Sequence, residues 1–169
     1  MVCSGWFGDT IHKTLRKDAA LLKKPGCYIP LLIVGALVLC CIGLQAITLT
    51  RSYTNPQVVA EPNWDSPRTR ELFMRTCGDC HSNETVWPWY SRVFPVSLLI
   101  ANDVNEGREY LNISEWGMRE YEAGEAAELL QEGEMPPAQF LLMHPEARLT
   151  PAEKQELIKG LVSTFGAGE

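Results

Sequence analysis

The chain has 169 residues, 46% hydrophobic and 21% charged, with a formal net charge of −6. That length allows one domain of ordinary size and an appendage. The acidic balance gives no electrostatic footing for nucleic acid, so none is expected as a partner. No internal repeat or low-complexity stretch occurs.

Residues 1–26 read as a cytoplasmic N-terminal segment. Lys13, Arg16, Lys17, Lys23 and Lys24 stand against Asp9 and Asp18, a net of +3. Ile11, Leu15, Leu21 and Leu22 would line one side of a short amphipathic helix over 10–24, but a basic flank to the apolar run is the simpler reading. Residues 27–50 read as a transmembrane helix. From Ile29 to Leu49 the sequence is IPLLIVGALVLCCIGLQAITL, without Asp, Glu, Lys, Arg or His. As a helix this run extends about 31 Å, the thickness of a bilayer's hydrocarbon core. Pro30 falls in its first turn, where a missing N–H costs little. A cleaved secretory signal fits less well: its apolar core is about 7–15 residues, and bulky Leu44 precedes the best cut, after Ala46. A lipoprotein signal fails at Leu39, where a small residue should precede Cys40. Cys40 and Cys41 then serve as small apolar side chains.

Basic residues flanking a span stay in the cytoplasm, and the chain beyond the span carries a net −9. The expected topology is therefore single-pass in a bacterial inner membrane, with the N-terminus inside and the rest periplasmic. Residues 51–63 (RSYTNPQVVAEPN) hold two prolines and no helical period, and read as an extended linker. At about 3.1 Å per residue it would lift the remainder of the chain as far as about 40 Å from the membrane. Residues 64–169 form that remainder, a small, mostly helical domain.

Within that domain, Asp65 or Ser66 caps a helix, Pro67 suits its first turn, and the helix runs into Cys77-Gly78-Asp79-Cys80-His81. Cys-x-x-Cys-His is the attachment sequence for a c-type haem. Two thiols separated by two intervening residues reach the two vinyl groups of one porphyrin, and the next histidine offers a neutral imidazole to iron. Zinc would need a second ligand pair on the same side of the membrane, and the other cysteines lie upstream in or before the span. A thioredoxin-like pair would sit between a strand and a helix. A plain disulfide would leave His81 without a role.

Further helices are expected near Ser97–Tyr110, from Ser114 through Trp116, Met118, Tyr121, Ala126, Leu129 and Leu130, and after Thr150. The last begins with the capping-box pattern Thr150-Pro151-Ala152-Glu153. No stretch alternates as a strand. For a second iron ligand, Glu134-Met135-Pro136-Pro137 stands out, because two prolines end a helical run and hold a thioether on a loop. Met143 and His144 are its rivals. Met118 is expected to pack inside its helix, and Met74 to lie on the His81 side. A carbonyl near Pro88 or Pro95 is a candidate acceptor for the second nitrogen of His81. Trp87, Trp89 and Tyr90 are candidate haem-packing aromatics. Arg92 and Arg108 are candidate propionate partners, and Asn112 and Trp116 look structural.

CGDCHSNETVWPWYSRVFPVS, DVNEGREYLNISEW, GEMPPAQF and HPEARLTPAEK together resemble the haem-binding-domain family of small membrane-anchored or exported c-type cytochromes. The resemblance spans about Trp64 to Leu161, and the combination of C-x-x-C-H-S-N, W-P-W-Y and M-P-P is far more specific than C-x-x-C-H alone. It implies one haem c attached through Cys77 and Cys80, with His81 proximal and Met135 distal, in an all-α cytochrome c-like domain. With both axial positions filled by protein, the expected activity is electron transfer, not enzymatic turnover of a small-molecule substrate. The expected partners are redox proteins, or a larger respiratory or photosynthetic membrane complex of which the chain is a fixed subunit. A haem sensor or peroxidase is the remaining reading.

Overall fold

The computed structural model describes residues 28–49, 53–118 and 123–166, in two units comprising residues 1–50 and 51–169. The expected cytoplasmic segment 1–26, its amphipathic stretch and Tyr121 lie outside the described residues.

In the first unit, helix α1 (Tyr28–Leu49) is long and apolar enough to cross a membrane. Its leucine, isoleucine and valine side chains are exposed. Pro30 lies in its first turn, as expected.

The second unit is helical, and among its described residues the sole β pairing is a single bridge between Ala60 and Glu115. Helix α2 (Pro67–Thr76) starts at Ser66, whose hydroxyl accepts from the Thr69 N–H. A four-residue helix α3 (Gly78–His81) comes directly after it. After a 3₁₀ turn (Trp89–Arg92) comes α4 (Val96–Tyr110), then α5 (Ala126–Glu132), α6 (Ala138–Met143) and α7 (Pro151–Phe165). The core joins Leu72 and Phe73 of α2, Leu111 and Ile113 after α4, Ala127 and Leu130 of α5, and Leu157 and Leu161 of α7. Beside it, Trp64 packs on Phe73 at 5.3 Å between ring centroids, and Trp116 stacks on Phe165 at 5.0 Å. Burying aromatic area of this kind is the main driving force available to so small a domain.

Three expectations are corrected. The helix expected from Ser114 does not start there: residues 113–118 form turns around the Glu115 bridge, and among the described residues the next helix is α5 at Ala126, after a 3₁₀ turn at Ala123–Glu125. The reason is that Ser114 is drawn into a polar network, its N–H bonding the Asn112 side chain and its carbonyl accepting from Val59 and Ala60. Met118 is consequently exposed and not packed. Residues 53–63 are extended as expected, but they are bound to the domain. Val59 N–H donates to the Ser114 carbonyl (2.8 Å), Trp116 N–H to the Ala60 carbonyl (3.1 Å), and Asn83 Nδ2 to the Gln57 carbonyl (3.0 Å). Arg70 pairs with Glu61 at 2.7 Å, which holds the Glu61 carboxyl below its usual range.

Helix α7 opens with the expected capping box, Thr150 hydroxyl to Glu153 N–H and Glu153 carboxylate to Thr150 N–H. Glu153 also accepts from Arg75 at 2.7 Å, tying α7 to α2. The Thr150 N–H, then Arg75, hold its carboxyl down to about 2 from 4.5. A carboxyl held below its unfolded value contributes stability that is complete above the unfolded value and is lost as pH falls toward the folded one. Melting temperature is therefore expected to drop as pH falls from about 4.5 to about 2, and to drop less over that window in Glu153→Gln. Equal acid sensitivity of the two proteins in thermal scans would remove Glu153 as the cause.

Candidate functional site

Cys77 ends α2, its N–H bonding the Phe73 carbonyl at 2.7 Å. Its own carbonyl accepts from both Cys80 (3.1 Å) and His81 (2.9 Å), so one turn presents two thiols and an imidazole in succession. Both thiols are unbonded. Enclosure, reinforced by the neighbouring Cys80, pushes Cys77 up to about 12. Enclosure and the carboxylates of Asp103 and Asp79 push Cys80 up to about 11, with Arg108 opposing. At neutral pH both free thiols therefore stay protonated, which does not suit a reactive redox pair.

His81 is held by a segment that the motif itself does not reveal. Its Nδ1 lies 3.0 Å from the Leu111 carbonyl, and its own carbonyl accepts from Ile113 N–H at 3.0 Å. With Nδ1–H donating to that carbonyl, Nε2 is left with its lone pair. Burial lowers the imidazole pKa further than the backbone groups of Leu111 and Gly107 raise it, so the ring is neutral. The expected acceptor near Pro88 or Pro95 is thus replaced by Leu111. The physical reason is that α4 ends at Tyr110: Leu111 is extended, and its carbonyl is released from the helix ladder to accept from a side chain.

Two further contacts hold α3 against α4. A Cβ on Gly107 would sit 2.6 Å from the Cys80 carbonyl oxygen, so only glycine permits this approach. Arg108 donates to the Ser82 carbonyl (2.8 Å), Thr85 Oγ1 (2.8 Å) and Asn55 Oδ1 (3.1 Å). It is engaged with the loop after the motif and does not line the cleft, where a propionate partner was expected. The two residues after His81 are buried and bonded too. Ser82 Oγ donates to the Gly78 carbonyl at 2.6 Å, and Asn83 takes a hydrogen bond from Asn112 Nδ2 at 3.0 Å.

Against this turn opens a cleft of about 270 Å³. Its walls are mainly apolar, with Phe73, Leu129, Leu130, Phe140 and Leu161 prominent. Cys77, Cys80, His81 and Met135 all line it, although Met135 is distant in sequence. The Met135 loop is set by the end of α5. Gly133 takes φ +83, a conformation that favours glycine, and the Leu129 carbonyl gathers the N–H groups of Gly133, Glu134 and Met135 at 3.1–3.2 Å. Pro136 and Pro137 continue the wall, and α6 begins at Ala138. Asp103, Glu106 and Tyr110 form the α4 side of the cleft. Their i, i+3, i+7 spacing on a predicted helix was the available signal, but polar residues at such spacing read first as a solvated face.

Other expected residues lie off the cleft. Met143 is exposed, and His144 stacks on Phe140 at 4.1 Å with its ring nitrogens near Tyr90 Oη (3.4 Å) and the Phe140 carbonyl (3.2 Å). Trp87 donates to Asn55 at 3.0 Å and meets Tyr53 edge-on at 5.2 Å. Trp89 is 78% exposed, and Arg92 lies over the Tyr53 ring at 5.7 Å. None of Trp87, Trp89, Tyr90 and Arg92 lines the cleft: Trp87 and Arg92 meet residues 53–55, and Tyr90 of the 3₁₀ turn meets His144. Met74, expected on the His81 side, packs against the core and over Gly78.

A helical domain whose apolar cleft offers a neutral, oriented imidazole, two protonated thiols and a thioether has the donor set of a haem protein. Residues 39–163 match the haem-binding domain family, and the chain belongs to it. The match begins inside α1, upstream of the Trp64 boundary of the resemblance. No curated protein and no solved structure matches the chain. Haem is the group that this cleft suits.

Gly107→Ala tests the helix contact behind the site. Overpacking against the Cys80 backbone is expected to cost about 1–3 kcal/mol and to lower haem content. Thermal melting and the haem-to-protein absorbance ratio check both.

Proposed function

We propose that this protein is a membrane-anchored monohaem c-type cytochrome that carries electrons on the periplasmic side of a bacterial inner membrane. The observation that carries the proposal is the meeting of the Cys77-x-x-Cys80-His81 turn and Met135 at one apolar cleft. Cys77 and Cys80 would hold haem through thioethers, and His81 Nε2 and Met135 Sδ would be the ligands to its iron. When bound, the haem supplies one-electron redox chemistry.

The chain's own contribution is orientation, exclusion of water and charge. The Leu111 carbonyl fixes the ring plane and tautomer of His81 and raises its basicity as a ligand. Phe73, Leu130 and Leu161 keep water from the inner wall, which reduces solvent rearrangement when charge changes. With haem bound, a thioether ligand in addition to an imidazole would favour the reduced metal and raise the potential relative to two imidazoles. Asp103 and Glu106 are exposed where they line the cleft, and they suit a redox partner with a basic face. The apolar helix α1 would confine that encounter to the membrane surface. The basic residues before α1 favour the N-terminus inside.

Optical spectra with a redox titration test haem type and ligation together. Replacing Cys77 and Cys80 together by serine is expected to abolish haem staining on a denaturing gel; persistent staining would exclude thioether attachment. Met135→Ala is expected to remove the methionine–iron charge-transfer band of the oxidised protein and lower the potential. Survival of that band would pass the axial position to another side chain.

A further inference from the structure

The W-P-W-Y stretch lies off the haem cleft, and its surroundings point to a different surface. Between Glu84 and Asp103 the only charged residue is Arg92, in a domain that is otherwise strongly acidic. Within this acid-free stretch Val86 is 75% exposed, Trp89 78% and Leu99 65%, with Val93 and Val96 also exposed. Large exposed apolar side chains concentrated along one acid-free stretch suit contact with an apolar medium.

Side-chain contacts also tie this stretch to the N-terminal residues of the domain. Tyr53 meets Trp87 edge-on at 5.2 Å, and Arg92 lies 5.7 Å over the same Tyr53 ring. Asn55 accepts from Trp87 and donates to the Thr85 carbonyl at 2.9 Å. Tyr53 lies only four chain steps beyond the last residue of α1, Leu49, and those steps span at most about 14 Å. When α1 crosses a bilayer, Tyr53 cannot leave the headgroup region by more than that distance.

We propose that the Val86–Leu99 stretch is a lipid-contacting face, which rests Trp89 and its aliphatic neighbours in the interfacial layer of the bilayer that α1 spans. This inference rests on the membrane-anchoring part of the proposed function. Tryptophan and tyrosine favour the headgroup level, where an apolar ring and a polar N–H or O–H are both accommodated. Arg92 suits anionic headgroups there, and the absence of carboxylates removes the repulsion that the rest of the domain surface would meet. The bilayer would then fix the domain's orientation, in addition to its distance, for a partner that approaches along the membrane.

Photolabelling of the full-length, haem-loaded chain tests this. The chain is placed singly in nanodiscs of phosphatidylethanolamine and phosphatidylglycerol doped with a phosphatidylcholine that bears a diazirine near its ester carbonyls, and labelled peptides are mapped by mass spectrometry. The expected result is label in α1 and in Val86–Leu99, several-fold above the exposed face of α7. The double variant Val86→Glu and Trp89→Glu, both at highly exposed positions, is expected to lose label in Val86–Leu99 while keeping it in α1 and keeping the haem spectrum. Label in α1 with none in Val86–Leu99 overturns the inference, as does crosslinking of that stretch to a second copy in two-copy discs without lipid label. Absence of label from α1 would instead overturn membrane anchoring itself.

Discussion

His81 and the extended segment after α4 hold each other twice, imidazole Nδ1 to the Leu111 carbonyl and Ile113 N–H to the His81 carbonyl. The rest of the site depends on this clasp. It requires α3 and α4 to touch, which Gly107 permits by leaving its Cβ position to the Cys80 backbone. It also requires α4 to stop at Tyr110, since a continuing helix would have consumed the Leu111 carbonyl. Each hydrogen bond contributes only about 0.5–1.5 kcal/mol net. In a buried setting, however, losing either partner would leave a polar group unsatisfied, so the arrangement is strongly specified.

Around the clasp lies a set of buried polar groups that would be costly without their partners. Asn83, Asn112 and Ser114 bond one another, and Gln57 of the extended entry segment accepts from Asn83. The segment between the apolar helix and the domain is therefore part of the scaffold that supports His81. By contrast, the Met135 side of the cleft is lightly held. Its backbone is gathered at one carbonyl, Leu129, and the side chain remains 37% exposed. The cleft therefore has a firmly oriented imidazole in one part of its lining and a loop-borne thioether in another.

The charge distribution divides the domain surface as well. Carboxylates dominate, and two of them, Asp103 and Glu106, line the cleft, whereas the Val86–Leu99 stretch has none. Surface ion pairs such as Arg68 with Glu71 add little to stability individually. The pairs that bridge elements, Arg70 with Glu61 and Arg75 with Glu153, fix the entry segment and α7 onto α2.

The sequence by itself determined the features that depend on neighbours along the chain. The apolar span, the Ser66 and Thr150 caps, the break at Met135-Pro136-Pro137 and the Cys77-x-x-Cys80-His81 turn all rest on local periodicity, cap chemistry and covalent spacing. The family assignment came from those same residues. Tertiary structure alone decided which carbonyl orients His81, that Arg108 serves the Ser82–Thr85 loop, that residues 53–63 belong to the domain, and that Trp87, Trp89, Tyr90 and Arg92 do not line the cleft. These are contacts between elements. An aromatic or an arginine meets its burial or pairing requirement equally well on several faces, and only the packing of α4 and the entry segment against the motif selects one.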